Sequence, residues 1–367
     1  MTRKRNFSVL TTRRRLLRAS ILAPAAAGLA GPVWAVTPLS VAFVYASPIG
    51  DAGWSYQHEL GRRAVDKALA GQVKTGYVEN TGEGADAERV FRQLAGSGNE
   101  LIFATASGYI NPLLKIAGQF PRIKFEQATG DRRAANLATY SGRFYEGRYV
   151  AGVIAGRMSR SGILGYVAAS PIPDAVQGIN AFLLGARSVN PQARVKLEWT
   201  GAWSDPGRER AVADALIAQG ADLLTHHTDS PAVVQAGEER GVQTIGYNSD
   251  LAKYGPKTCL TSVTMDWSGY YVGRVKAALS GTWKADDTWG GFREGMIRMA
   301  PYNEAIPAEV RAEADARIAA ISAGTLKPFG GPIKDQAGKQ VVAAGRSMSD
   351  KELLEMKFLA SGVQGKL

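Results

Sequence analysis

Ala85–Gly98, ADAERVFRQLAGSG, lies between two short apolar runs, Val73–Val78 and Leu101–Ala106. Its apolar residues are spaced for one face of a helix, and glycines stop it. The same order returns at Asp205–Asp222, DPGRERAVADALIAQGAD, between Val195–Trp199 and a run that begins at Asp222. Working outward, strands are expected at Leu39–Ala46, Val73–Val78, Leu101–Ala106, Ile123–Gln127, Ile163–Ala168, Val195–Trp199, Asp222–Thr225, Thr244–Tyr247 and Leu260–Val263. Short strands separated by amphipathic helices predict an α/β fold with parallel, helix-covered sheets.

The breaks in this rhythm predict two Rossmann-like lobes. A first set of units ends near Gln127, a short strand follows at Leu137–Tyr140, and FYEGRYVAGVIAGRMSRSG from Phe144 opens a second set. The helix expected in WSGYYVGRVKAALSG, Trp267 to Gly281, returns to the first set. GGPIKDQAGKQVVAAG reads as a hairpin about Gln336-Ala337-Gly338, and a last helix is expected through Leu353 and Phe358. The expected layout is a leader at 1–35, a first lobe from 36–142 with about 267–305, and a second lobe from 143–266 with part of 306–367. Several crossings between two lobes make a hinge, because short segments absorb rotation while both cores stay packed.

Thr12-Arg13-Arg14-Arg15-Leu16-Leu17-Arg18 precedes an apolar run from Ala19 to Ala30, and Val33-Trp34-Ala35 places small residues for cleavage. This resembles a twin-arginine signal cut after Ala35; a Sec signal with a basic start is the alternative. Both imply a soluble periplasmic protein. No later stretch is long and apolar enough to span a bilayer. The leader holds seven of the 44 basic residues and none of the 33 acidic ones, so the net charge falls from +11 to +4. Without a basic stripe there is no electrostatic case for nucleic acid. The single cysteine, Cys259, excludes an intramolecular disulfide and a cysteine zinc cluster, and no cysteine stands at the cleavage junction to carry a lipid. With three histidines and no acidic pair at ligand spacing, neither a metal nor a cofactor is expected.

In parallel sheets a ligand lies beyond the carboxyl ends of the strands, so the loops after each run are the place to look. After the first strand comes YASPIGDAGWSYQHELGR, with Trp54 opening a helix; after the strand ending at Trp199 comes TGAWSDPGRERA, with Trp203 before a helix. Two aromatic residues in corresponding loops of two lobes suit a clamp on a planar ring, although each could be a packing residue. Asp51, Ser107, Ser170, Asp205 and Asp266 stand at strand ends or helix starts, where they are ligand contacts or ordinary caps. In His226-His227-Thr228-Asp229, His227 is placed to reach a ring nitrogen, and His58 sits one turn beyond Trp54, where it can support the indole.

These segments carry a resemblance. GDAGWS, YEGRYVAGVIAGRMSRSGILGYV, NAFLLGARSVNPQARV, WTGAWSDPGRERAVADALIAQGAD, IGYNSD and CLTSV follow in an order that resembles the basic membrane protein family of ABC-transporter solute receptors, which includes purine nucleoside receptors. The resemblance implies a type I periplasmic binding fold, an ABC permease as partner, and a base held between aromatic rings matching Trp54 and Trp203. It also carries Asn248 and Asp250 as polar ligand residues, which keeps a contact to a sugar open.

The departures concern the sugar. Tyr45-Ala46 stands where the family's nucleoside receptors carry an Asp, Ser55 where an Asn follows the first aromatic, and Met265 where a Lys binds the sugar hydroxyls. A free purine base is therefore expected, adenine first. A nucleoside receptor, a ligand-binding partner of a membrane sensor and a periplasmic nucleosidase are the alternatives. The chain has no G-x-S-x-G elbow after a strand, and Gly82-Glu83-Gly84 imitates a dinucleotide loop after the wrong strand, so an enzyme is not expected.

Overall fold

The structure, a computed structural model, describes residues 37–367; the leader expected at 1–35 lies outside the described residues. Along the chain run β1 (Leu39–Val44), α1 (Trp54–Ala68), β2 (Val73–Val78), α2 (Ala85–Gly96), β3 (Leu101–Ala104), α3 (Ile110–Gln119), β4 (Lys124–Ala128) and β5 (Leu137–Gly142). There follow α4 (Phe144–Met158), β6 (Ile163–Ala168), α5 (Pro173–Arg187), β7 (Arg194–Trp199), α6 (Pro206–Ala218), β8 (Leu223–His227), α7 (Ala232–Arg240), β9 (Gln243–Asn248) and β10 (Cys259–Met265). The remainder is α8 (Ser268–Leu279), β11 (Asp287–Gly290), β12 (Ile297–Met299), α9 (Ala308–Ser322), β13 (Ile333–Lys334), β14 (Gln340–Val342), α10 (Asp350–Leu354) and β15 (Val363–Gln364).

Two sheets organise these elements. The first has the order β11-β5-β4-β3-β1-β2 and is parallel throughout; the second has the order β12-β10-β9-β8-β6-β7-β15, with β12 antiparallel to β10. The reversal of strand order about β1 and about β6 creates the crevices where loops diverge, and the loops after β1 and β7 flank them. Within 267–305, α8 packs on α1 and β11 joins the first sheet, whereas β12 joins the second. The hairpin about Gln336-Ala337-Gly338 forms as β13 and β14. The helix expected through Leu353 and Phe358 stops at Leu354, and the chain goes on to add β15 beside β7. A two-residue strand has too little periodicity to be visible in a sequence.

One helix explains how the second lobe is held. Almost every residue of α4 from Phe144 to Gly156 is buried, so it shows no polar face and behaves as a core element. Its closest neighbour is α5. A side chain at Gly152 would strike the Phe182 carbonyl, and one at Gly185 the Tyr149 carbonyl, so the two helices touch backbone to backbone. At the other end of α5, Asp174 reaches the carboxyl end of β8 at His227.

Candidate functional site

The loop after β1 turns through Gly53, whose φ of 88° suits glycine, and starts α1 at Trp54. Gly53 offers no side chain to cap this helix. The free N–H groups are met from the other lobe. Gly53 N–H donates to Ser249 Oγ at 2.9 Å, Gln57 Nε2 donates to the same oxygen at 2.9 Å, and Trp54 N–H donates to Asp229 Oδ1 at 3.3 Å. A Cβ on Gly53 would come 2.8 Å from the Asp229 carbonyl oxygen, so glycine is needed for this approach. Asp229 N–H in turn donates to the Trp203 carbonyl at 2.7 Å. One residue thus joins the loops that carry both tryptophans.

The two rings are held differently. Trp54 meets His58 edge to face at 4.5 Å and Trp267 at 5.8 Å, and its Nε1–H donates to the Thr105 carbonyl. His58 is itself stacked on Trp267 at 4.8 Å, and its Nδ1 meets the Tyr271 hydroxyl, which also meets that of Tyr140 at 2.7 Å. Burial holds His58 neutral. Trp203 is 40% exposed, and its ring lies 6.1 Å from that of His227.

Behind Trp203, His227 is buried at the end of β8, 4.3 Å from the Tyr247 ring and 5.7 Å from Phe144. Desolvation, then the charge of Arg148 and the neighbouring His226, push its pKa far down, so it is neutral. Asp174, in the first turn of α5, faces His227 Nε2 at 3.7 Å, and desolvation raises its carboxyl to about 6 against the pull of Arg148. Burial likewise raises Asp229 to about 7, its hydrogen bond from Trp54 opposing and Glu209 adding to the shift. Asn248 ends β9 with φ 63° and is fully buried, yet neither its Nδ2 nor its Oδ1 has a partner among the described residues. Its neighbour Ser249 touches the Trp54 loop, which places this unmatched donor and acceptor at the seam between the lobes.

The other residues singled out in the sequence stand as follows. Ser55 is buried and shares a hydrogen bond with Ser47 at 2.7 Å. Tyr45 donates to Glu59 at 3.0 Å within the first lobe. Asp205 caps α6 by accepting from Arg208 N–H at 3.0 Å, and Asp266 accepts from Ser268 N–H at 2.9 Å and pairs with Arg298. Asp250 is exposed and closes a turn at Ala252, while Ser107 is exposed and Ser170 half-buried in the loop before α5. Asp51 reaches across the seam to Lys253 Nζ and the Tyr254 hydroxyl, each at 2.7 Å. Met265 is buried, facing Gly142 where the chain first crosses between lobes. Sequence reasoning passed over Asp174, Ser249, Thr105 and Trp267. Asp174 follows Pro173 in a helix start like many others, and nothing local marks it as desolvated.

Cavity volume points elsewhere. A cavity of about 590 Å3 beside Ile297, Tyr302 and Ile318, and one of about 340 Å3 beside Arg143, Trp289 and Asp350, share no residue with the seam. The seam is the better candidate because it gathers unmatched polar groups and aromatic rings from two lobes. Among the described residues, no group of His, Cys, Asp and Glu could hold a metal ion, and no helix is long and apolar enough to cross a membrane.

The chain is similar to several known proteins. Residues 39–323 match the family described as ABC transporter substrate-binding protein PnrA-like. The chain is 48% identical over 339 residues to a purine-binding protein of Brucella abortus, covering 92% of this chain and 97% of that one. It is 38% identical over 330 residues to a putative ABC transporter glucose-binding protein of Haloferax volcanii, covering 90% and 81%. Among solved structures, an ABC transporter solute-binding protein of Aeropyrum pernix superposes with a TM-score of 0.68 at 19% identity, over 81% of this chain and 93% of that one. A transcriptional activator of the comK gene from Bacillus halodurans reaches 0.69 at 22% identity, over 78% and 99%. The fold is the two-lobed one of periplasmic binding proteins of ABC systems. Such proteins bind small molecules and work with a membrane permease. The chain belongs to the PnrA-like family of ABC transporter substrate-binding proteins.

Proposed function

We propose that the protein captures a free purine base, adenine before others, between Trp54 and Trp203 as its lobes close, and hands it to an ABC permease. The observation that carries this reading is Asp229, which accepts from Trp54 N–H and donates its own N–H to the Trp203 carbonyl. Closure therefore completes the cap of α1 and brings the two aromatic loops together in one event. A ligand stacked on Trp54 selects the closed state by the contacts that the second lobe adds. The purine-binding relative, 48% identical over nearly the whole chain, supports the class of ligand.

The base is favoured over the nucleoside by Met265. It stands where the resemblance places a sugar-binding Lys, is buried, and offers no donor to a ribose hydroxyl. Each hydroxyl left without a partner costs about 1–3 kcal/mol. Asn248 supports the base reading, since one free donor and one free acceptor match a base edge that alternates the two. Calorimetric titration of the mature protein with adenine and adenosine tests the proposal: adenine binds more tightly. Adenosine binding more tightly would restore the nucleoside reading, and no heat with either would reject purine capture. Export by the leader adds that periplasmic protein begins at Val36, which N-terminal sequencing reads directly.

A further inference from the structure

Behind Trp203, polar groups of the second lobe converge on Gly178 of α5. A Cβ there would stand 3.2 Å from the Tyr166 hydroxyl, 3.5 Å from Arg148 Cγ and 3.7 Å from His227 Nδ1. The Tyr166 hydroxyl, Arg148 Nε and His227 Nδ1 are all buried, and none has a hydrogen-bond partner among the described residues. Arg148 spends its other nitrogens on Thr225 Oγ1 at 2.7 Å and on the His226 carbonyl, and lies between the Phe144 and Tyr247 rings. Three unmatched buried polar groups around one glycine are unusual, because each is costly unless something completes it.

Asp174 is the outermost member of this group. Its side chain is 23% exposed, and the 3.7 Å to His227 Nε2 is too long for a hydrogen bond. An acid in the first turn of a helix favours the helix dipole, which would account for Asp174 as a surface residue. It does not account for a largely buried carboxyl beside a neutral imidazole, with unmatched polar atoms behind it. Trp203 lies across the same imidazole. Trp203 and Asp174 therefore share His227 as a neighbour, the one at its ring and the other at its Nε2.

We propose that Asp174 is the specificity-determining acceptor of the site, reading the edge of the bound base so that a 6-amino purine is preferred to a 6-oxo purine; this rests on the purine reading above. An ionised carboxyl has lone pairs and no hydrogen to give. An amino group donates to it, whereas a 6-oxo group sets acceptor against acceptor. Sites built to meet an N–H reject analogues that lack it far more strongly than apolar pockets reject a missing methylene.

The test is titration of the mature protein and of Asp174→Asn with adenine, hypoxanthine and unsubstituted purine, with a thermal melt of each protein. In the wild type, adenine is expected to bind about tenfold or more tighter than either other base. In Asp174→Asn, whose amide offers both a donor and an acceptor, the preference over hypoxanthine falls by about tenfold. Equal wild-type affinities for adenine and hypoxanthine, or an unchanged ratio in a folded Asp174→Asn, would overturn the assignment while leaving purine capture in place. If the variant fails to fold, the wild-type series decides, because unsubstituted purine binding as tightly as adenine removes any role for the amino group. Absence of binding by all three bases would overturn the purine reading and this assignment together.

Discussion

Trp54 and Trp203 occupy corresponding loops of the two lobes, yet one is built into its surroundings and the other is left open. Trp54 is buttressed by His58 and Trp267 and anchored through its indole N–H to Thr105. Trp203 is 40% exposed, with its backbone carbonyl bound to Asp229 and its ring beside His227. The difference teaches that the two walls of the proposed clamp have different duties. In the proposed clamp the first would serve as a prepared platform whose cost of ordering is met during folding, and the second would be ordered by closure and by ligand.

That contrast can be broken experimentally, beginning with the largest expected effect. Trp54→Ala should weaken adenine binding by roughly 1–3 kcal/mol and also lower stability by about 1–3 kcal/mol, since it removes a half-buried indole from its contacts with His58 and Trp267 and frees the Thr105 carbonyl. Calorimetry and denaturant melts read the two quantities separately; a variant that binds as before with unchanged stability would contradict the platform.

Trp203→Ala should weaken binding to a similar degree, roughly 1–3 kcal/mol, but leave stability within about 0.5 kcal/mol. If its unfolding midpoint fell as far as that of Trp54→Ala, the two walls would be equivalent after all.

The third expectation concerns the link between them. Burial raises the Asp229 carboxyl to about 7, so the folded protein binds this proton more tightly than the unfolded chain. The contribution of Asp229 to stability is therefore fully present below the unfolded value near 4 and is lost as pH rises through about 7. The buried, neutral histidines His58, His226 and His227 act in the opposite sense below about pH 6.5, so the comparison must be made against a variant. Asp229→Asn keeps an acceptor for Trp54 N–H and carries no charge. Its stability advantage over the wild type, read from melts, should be about 2–3 kcal/mol larger at pH 8 than at pH 5. A difference independent of pH would show that the carboxyl does not titrate in this range.

The smallest expected effect sharpens the account of the platform. Tyr271→Phe removes the hydroxyl shared by His58 Nδ1 and Tyr140 and should cost about 1 kcal/mol of stability. Its effect on affinity should be smaller than that of Trp54→Ala. Thermal melts with and without adenine measure both.

The alternation seen at Ala85–Gly98 and at Asp205–Asp222 was enough to determine parallel α/β lobes, because strand and helix periods are local properties of a chain. The nine main strands expected from that pattern all form, with ends displaced by a few residues, as do the strand expected at Leu137–Tyr140, found as Leu137–Gly142, and the hairpin about Gln336-Ala337-Gly338. The placement of Trp54 and Trp203 in the loops after β1 and β7 was legible too, since an aromatic residue in a Gly-rich loop after a strand is visible without coordinates. The tertiary structure alone decided what meets them. Asp229 and Ser249 lie 175 and more positions from Trp54, and Asp174 becomes a largely buried acid beside His227, 53 positions along the chain. It also separated residues that look alike in sequence: Asp205 and Asp266 turned toward helix ends, Tyr45 toward Glu59, and Asn248 was left with an amide that nothing in its own lobe completes. Periodicity records which face of an element is buried; hydrogen-bond partners and desolvation depend on which distant element arrives there, and that information exists only once the chain has closed on itself.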